Sequence, residues 1–129
     1  MIKIHDQEIK AWIAKTDGWV AVYGVKATIA GIDCSLVTHQ ENGIPKVLVS
    51  ELTTGAKIID FEVSMFDFIA ADTKEKAFVL FKPIAQQTLD LIQRVGIDKV
   101  KKQIESTKKD TVERLGEMPK IEAFYMEKG

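Results

Sequence analysis

The chain has 129 residues, of which 46% are hydrophobic and 29% are charged, a composition typical of a globular domain and not of a disordered, fibrous or membrane-embedded chain. Eighteen basic and nineteen acidic residues leave a formal net charge of -1, so no overall field attracts nucleic-acid phosphates or acidic membranes, and neither is an expected partner. A chain of this length buries roughly two-thirds of its unfolded surface in one core, and we expect one domain over residues 1–129.

The sequence contains one cysteine, Cys34, and two histidines, His5 and His39. A single cysteine excludes an intramolecular disulfide and a multi-cysteine zinc site, and neither histidine has a second ligand at metal-site spacing. We therefore expect no metal and no cofactor. The lone cysteine is typical of a reducing compartment, and no signal peptide or run of eighteen apolar residues occurs, so we expect a cytoplasmic protein without a membrane segment.

The first predicted element is a hairpin centred on Asp17-Gly18. This dipeptide lies between the apolar segments 9–13 and 19–23, and Asp-Gly is favoured in two-residue turns because both positions need a positive φ. The alternative is a short helix over residues 7–15, whose apolar residues also fit helical spacing. We favour the strand.

Further strands follow along the first half of the chain. An almost continuously apolar run after the first hairpin is interrupted by Gly24 and Gly31, which predict a bulge or bend. Asn42-Gly43 is a second positive-φ pair and predicts the clearest hairpin. Short connections of this kind require antiparallel neighbours, because parallel strands need long crossovers. The segments are 19–32, 34–39, 46–52 and 56–63.

The hydrophobic period changes from two to about 3.6 at Asp72. Asp72 and Glu75 predict a capping box at the start of a helix, and Gly96 predicts its end. Pro83 lies inside this helix, where it lacks an amide donor and clashes with the preceding turn. It predicts a kink or a break, so that the helix forms two pieces.

A second helix is predicted from Asp98, as its N-cap, to Leu115, with Gly116 as its stop. The tail after Pro119 is too apolar to remain in solvent, and we expect it to pack on the sheet as a short strand or turn. The helix residues predicted to face inward are Val100, Ile104, Thr111, Val112 and Leu115.

Together these elements predict an α+β fold, in which an antiparallel β-meander of four to five strands packs against two C-terminal α-helices. The strands are expected over residues 1–65, the helices over 72–116 and the docked tail over 117–129. No internal repeat or linker divides the chain.

The reactive side chains predict little chemistry. Cys34 and His39 are five positions apart on one predicted strand, which places them on opposite faces and roughly 16 Å apart. Asp67, Asp72 and Glu75 could hold a divalent cation or act as acid and base, but capping already explains two of them. The sequence has no phosphate-binding glycine loop and no nucleophile elbow.

Aromatic residues near the first hairpin are the candidate binding residues. Trp12, Trp19 and Tyr23 cluster there, and His39 lies at the entrance of the second hairpin; amphipathic rings are frequent interface hot spots, although core packing is the alternative. Two helices cover only part of such a sheet, and a surplus apolar face or edge favours self-association. The leading hypothesis is a non-catalytic protein-binding or regulatory module that acts through a protein partner as a homo-oligomer.

Two other functions stay open. A small-molecule binder or small enzyme would have its pocket between sheet and helices, near Tyr23, His39, Asp67 and Lys82. Nucleic-acid contact would have to use the lysines of the second helix against a balanced net charge. Those lysines are Lys99, Lys101, Lys102, Lys108 and Lys109.

Overall fold

The computed structural model describes residues 1–125, without the side chains of residues 74 and 123–125. Five strands come first along the chain, three helices follow, and a sixth strand comes after the helices. They are β1 (Ile2–Ala14), β2 (Trp19–Ile29), β3 (Ile32–Glu41), β4 (Ile44–Glu51), β5 (Lys57–Glu62), α1 (Met65–Ala70), α2 (Lys74–Val95), α3 (Ile97–Leu115) and β6 (Glu122–Tyr125).

The strands form one sheet in the order β5-β4-β3-β2-β1-β6, with every neighbouring pair antiparallel. The first five strands are the predicted meander, and the helices that follow contact it, so the α+β prediction is confirmed. Residues 7–15 lie almost entirely in β1, and the helix considered for them is wrong. The described part of the tail returns as β6 beside β1, as predicted; residues 126–129 of the predicted docked tail lie outside the described residues.

Two connections of the meander are two-residue turns with the same backbone geometry. Ala30-Gly31 joins β2 to β3 and Asn42-Gly43 joins β3 to β4, with φ of 53° and 79° in both turns. Positive φ at both positions matches the twist of the flanking strands. Gly31 therefore ends a strand, whereas the sequence suggested a bend within one.

The turn predicted at Asp17-Gly18 is wrong. β1 and β2 are joined by the four-residue loop 15–18, closed by a 2.9 Å bond from the Lys15 amide to the Gly18 carbonyl, and Asp17 has no positive φ. Arg114 of α3 donates to the carbonyls of residues 15 and 16 at 2.9 and 3.2 Å. These charged donors stabilise the longer loop.

The sheet forks at Gly24. β2 pairs with β3 between the Ala30-Gly31 turn and the Val25–Leu36 pair. Residues 19–24 of β2, on the other side of that pair, do not pair with β3. At the fork the backbones are so close that a Cβ on Gly24 would lie 2.5 Å from the Leu36 carbonyl oxygen and 2.7 Å from the Val37 side chain. Only glycine fits this approach without a shift of β3.

Beyond the fork, the outer half of the β1–β2 hairpin packs over the sheet face opposite the helices. Ile13 and Val22 of the hairpin contact Val37 and Leu48 of β3 and β4 in a separate apolar cluster. The surplus sheet face expected from the sequence is therefore partly covered by the sheet itself.

A bulge in β1 makes this packing possible. The register with β2 shifts between Ile4 and Glu8. Before the shift Ile4 packs against the helix-side core, and after it Ile9 and Ala11 pack in a cluster with Leu52. The bulge thus transfers the apolar side chains of one strand from one face to the other.

The main core lies between the sheet and α2. Apolar side chains from β2, β3 and β4 face one side of the helix, and all are less than 9% exposed. α3 adds Val100 and Ile104 at the edge of this core. The buried residues of the cluster are Val25, Ala27, Ile29, Ile32, Cys34, Leu36, Val47, Val49, Phe81, Ile84, Ala85, Leu89 and Ile92.

The start of α2 differs from the predicted capping box. Thr73 is the N-cap, and its hydroxyl accepts from the Lys76 amide at 3.3 Å. Asp72 precedes the N-cap by one residue, and its carboxylate instead pairs with the Lys76 ammonium at 3.4 Å. Glu75 lies in the first turn of α2, where a carboxylate is favourable. Threonine is among the favoured N-cap residues, although it ranks below aspartate, and here the Thr73 hydroxyl takes this position.

The break predicted at Pro83 is wrong, because α2 runs unbroken over its 22 residues. Pro83 is exposed, as is Val79, the residue whose carbonyl loses its amide donor. On this side of the helix, water can satisfy that carbonyl.

Gly96 alone separates α2 from α3. Its amide donates to the Ile92 carbonyl at 2.8 Å and its carbonyl accepts from the Val100 amide at 3.0 Å, at a φ of 102°. Gly96, not Asp98, therefore marks the start of α3. The prediction that Thr111 faces inward is confirmed, because Thr111 is buried. The same prediction for Val112 is wrong, because Val112 is 39% exposed.

An additional helix, α1, lies between β5 and α2. Ser64 is its N-cap and accepts from the Asp67 amide at 3.0 Å. Within the described residues, no helix is long and apolar enough to cross a membrane.

Candidate functional site

The predicted aromatic residues share one face of the β1–β2 hairpin. Trp12 lies opposite Ala21, and Trp19 and Tyr23 lie two positions to either side of Ala21 in the neighbouring strand. Diagonal neighbours at this spacing are within reach of aromatic side chains. His39 is on β3 and is not part of this group.

Trp12 attaches the tail to the sheet. Its indole nitrogen donates to the Lys120 carbonyl at 3.2 Å, and the Lys10 ammonium lies 5.3 Å from its ring centroid and 3.8 Å from the Glu122 carboxylate. Both contacts lead to the segment that forms β6. Trp12 is therefore accounted for by internal contacts.

Trp19 and Tyr23 have different surroundings. The Trp19 ring approaches Gly55, where an added Cβ would lie 3.1 Å from the ring, and its indole nitrogen is buried without a hydrogen-bond partner among the described residues. Tyr23 is 58% exposed. Of the three aromatics, Tyr23 is the one most available to a ligand.

His39 belongs to a small charged group at the other side of the sheet. Its Nε2 lies 2.9 Å from an Asp60 oxygen, and Lys46 lies 4.0 Å from the second Asp60 oxygen. Asp60 can hold the imidazole in one orientation, as in many structural ion pairs.

Cys34 is not a nucleophile. It is fully buried in the helix-side core, while His39, five positions on, points to the other face. Burial, followed by the nearby carboxylates of Glu51 and Asp33, raises the pKa of the Cys34 thiol to about 12. A thiol in this environment is protonated and unreactive at neutral pH.

A hydrogen-bonded chain joins His5, Thr28 and Asp33. The Thr28 hydroxyl donates to Asp33 at 2.9 Å, so it must accept from His5 Nε2, which lies 2.8 Å away. Burial, then the positive charges of Lys26 and Lys3, lowers the pKa of His5. The imidazole donates to the hydroxyl and therefore cannot activate it as a base.

The acidic residues near α2 do not converge. Asp72 pairs with Lys76, and the described part of the chain contains no group of three or more potential metal ligands. Asp67 and Glu75 lie on different helices. Cation binding by these carboxylates has no geometric support.

An open cleft of about 350 Å³ lies beside the fork, under the start of α2. Tyr23, Thr38, Asp72 and Thr73 contribute polar groups to it. Of the four residues predicted around a pocket between sheet and helices, only Tyr23 lines it. His39, Asp67 and Lys82 lie elsewhere.

Four exposed apolar side chains lie on α1 and the neighbouring part of α2. Phe66 is 86% exposed, Val79 70%, Ile69 65% and Met65 45%. A groove of about 300 Å³ runs between the two helices beside them. We call these four side chains and the groove the α1–α2 surface; the groove is lined by Asp67, Ala70, Lys76, Val79, Leu80 and Pro83.

The spacing of residues in α1 relates two of the exposed side chains to the groove. Phe66 and Ile69 are three positions apart, and Ala70 is four positions from Phe66, so they share one helical face. That face borders the groove through Ala70, while Phe68 points inward and is half-buried. At these exposed fractions the four side chains leave on the order of 400 Å² of apolar surface in water.

No family model, curated protein or solved structure matches this chain.

The α1–α2 surface was not predicted from the sequence, although one signal is present. Ser64 followed three residues later by Asp67 is a helix-start pattern, and the apolar residues after it have no apolar partner segment nearby. A helix of six residues is too short to show a hydrophobic period. Periodicity alone therefore does not predict a helix face over residues 65–70.

Proposed function

We propose that the chain is a non-catalytic protein-binding module and that its partner docks on the α1–α2 surface. One observation carries this proposal: Phe66, Ile69 and Val79 are each at least 65% exposed, and one groove between α1 and α2 is lined by Val79 and by Ala70, which shares a helical face with Phe66. Single exposed apolar residues are common, but a continuous patch of several hundred Å² marks an interaction site.

The composition of the surface resembles the centre of an interface. Phenylalanine and methionine are enriched in such centres, and a groove beside a protruding aromatic ring allows interdigitation. Asp67 and Lys76 supply charges at the rim, where charge sets orientation and specificity more than affinity.

The other polar groups support a non-catalytic role because they serve the fold. The Glu51 carboxylate accepts from both Thr53 donors and from the Thr54 amide at 2.7 to 3.0 Å. The Ser35 and Ser50 hydroxyls bond to each other at 2.6 Å in the interior. Groups so engaged shape a loop and a core, and are not free to act on a substrate.

The test compares Phe66→Asp with Val112→Asp. Both place a carboxylate at an exposed helical position, but Val112 lies on α3, away from the α1–α2 surface. Proteins captured from the source cell by the wild type are quantified by mass spectrometry, and each candidate partner is purified and titrated by calorimetry. We expect Phe66→Asp to weaken binding at least tenfold and Val112→Asp to leave it unchanged.

Two results would contradict the proposal. One is a purified partner that binds both variants equally, which would place the interface elsewhere. The other is binding to phosphatidylcholine–phosphatidylserine vesicles that Phe66→Asp abolishes while no protein partner is found, since the patch would then contact lipid.

A second candidate is a small-molecule binder that uses the cleft beside the fork. The observation in its favour is that the hydroxyl-bearing residues Tyr23, Thr38 and Thr73 line one concave site. Native mass spectrometry of the protein purified from its source would detect a retained molecule. Loss of that molecule in Tyr23→Phe, with no loss in Phe66→Asp, would favour this function over protein binding.

A further inference from the structure

We infer that the partner of the α1–α2 surface is a second copy of this chain, docked through the same surface in a two-fold dimer. This inference rests on the proposed function, because it names the partner of the surface proposed there. In a two-fold interface every contact occurs twice, so the surface must carry both halves of each contact.

The α1–α2 surface carries a protrusion and a recess on the same pair of helices. Phe66 is 86% exposed, and the groove of about 300 Å³ between α1 and α2 is lined by Ala70, one helical turn from Phe66, and by Val79, Leu80 and Pro83. A cavity of roughly 150 Å³ accepts a benzene ring, so the groove has room for one phenylalanine side chain. Two copies can therefore exchange Phe66 rings, each filling the groove of the other.

The charges at the groove are also self-complementary. Asp67 follows Phe66 on α1, and Lys76 lies on the α2 wall. When Phe66 enters the partner groove, Asp67 approaches the Lys76 ammonium of the second copy, and the symmetric pair forms at the same time. Asp67 has no ion-pair partner within its own chain among the described residues, and the Asp72–Lys76 pair is exposed and readily shared.

The size of the surface sets the expected affinity. About 400 Å² of apolar surface per copy is roughly half of what each partner contributes to a standard interface. We therefore expect a reversible dimer with a dissociation constant on the order of 10 μM, and not an obligate dimer.

Sedimentation velocity over a range from low micromolar to several hundred micromolar protein measures the association. The wild type should shift from monomer to dimer with rising concentration. Phe66→Ala should weaken the dimer at least tenfold, while Val112→Ala, a truncation on α3, should leave it unchanged. Circular dichroism of both variants verifies that they remain folded.

Charge reversal tests the predicted cross-contact. Asp67→Lys alone places two lysines together at each symmetric contact, and Lys76→Asp alone places two aspartates together, so each variant should dimerise about tenfold more weakly than the wild type. An equimolar mixture of the two variants brings opposite charges together at both contacts. The mixture should therefore form a heterodimer with near wild-type affinity.

Recovery on mixing supports the two-fold dimer, because no arrangement that uses another partner predicts it. A wild type that stays monomeric at every concentration overturns the inference, and so does a dimer that is insensitive to Phe66→Ala or that mixing fails to restore. In each of these cases the proposed function survives if a different protein binds the wild type and loses affinity for Phe66→Asp. The two ideas therefore fail on different measurements.

Discussion

Replacing Gly24 with alanine tests the close approach that creates the fork in the sheet. The new methyl group would lie 2.5 Å from the Leu36 carbonyl oxygen and 2.7 Å from the Val37 side chain. Because the nearer atom belongs to the backbone, β3 must move to relieve the overlap, at a cost of about 3 kcal/mol. Alanine also lowers the conformational entropy of the unfolded chain, which stabilises the folded state by about 0.7 kcal/mol. The expected net loss is about 2 kcal/mol, or about 7 °C in Tm for a chain of this length.

Urea unfolding followed by circular dichroism measures this loss, and Gly43→Ala is the matched control. Gly43 has a φ of 79° but no atom within 4 Å of an added Cβ, so its replacement costs about 1 kcal/mol through backbone strain alone. Truncation of Val37 to alanine in the Gly24→Ala background should recover part of the loss. If Gly24→Ala unfolded at the wild-type urea concentration, or were milder than Gly43→Ala, the close approach would not determine the fork.

Three further predictions concern single residues. Asn42→Ala should lower the free energy of unfolding by about 1 kcal/mol, because it places an alanine in the left-handed conformation that Ala30 already has. Ala30→Asn should raise the free energy of unfolding by about 0.5 kcal/mol. Thermal melts of both variants test these opposite signs. The Cys34 thiol, with a pKa of about 12, should react with a thiol reagent near pH 8 only on the timescale of unfolding; fast labelling of native protein would contradict its burial. The pKa of His5 is lowered from 6.5, so the unfolded state binds more protons there and stability should fall as pH drops through that value. His5→Gln should reduce this pH dependence, and an unchanged slope would count against the assignment.

The meander was predictable from the sequence because its signals are local. Asn42-Gly43 has the turn chemistry that its φ values require, and alternation in the flanking segments sets the strand faces. The bulge in β1 also leaves a trace, since apolar residues occupy even positions at Ile2 and Ile4 and odd positions from Ile9 onward. That change of parity indicates an inserted residue, but it gains meaning only once both faces of β1 are known to be covered.

The fork and the candidate site were not predictable because they depend on tertiary packing. Nothing near Gly24 in the sequence distinguishes a close approach between strands from an ordinary bend. The exposure of Phe66 depends on how α1 sits against α2, and the six-residue helix gives no periodic signal of its own. The aromatic residues were predicted near the first hairpin and stay candidate binding residues, but Trp12 contacts the tail, and this contact joins residues 108 positions apart.

The pairing of β6 with β1 has a consequence during synthesis. Residues 7–10 of β1 pair with residues 122–125, so the outer edge of β1 stays unpaired until β6, more than 100 residues further along, has been made. At about 5–20 residues per second this interval lasts on the order of 10 s. An open strand edge can pair with neighbouring nascent chains, and charged residues such as Lys3 and Lys10 oppose such pairing. The nascent protein is therefore most exposed to misassembly in the seconds before β6 emerges.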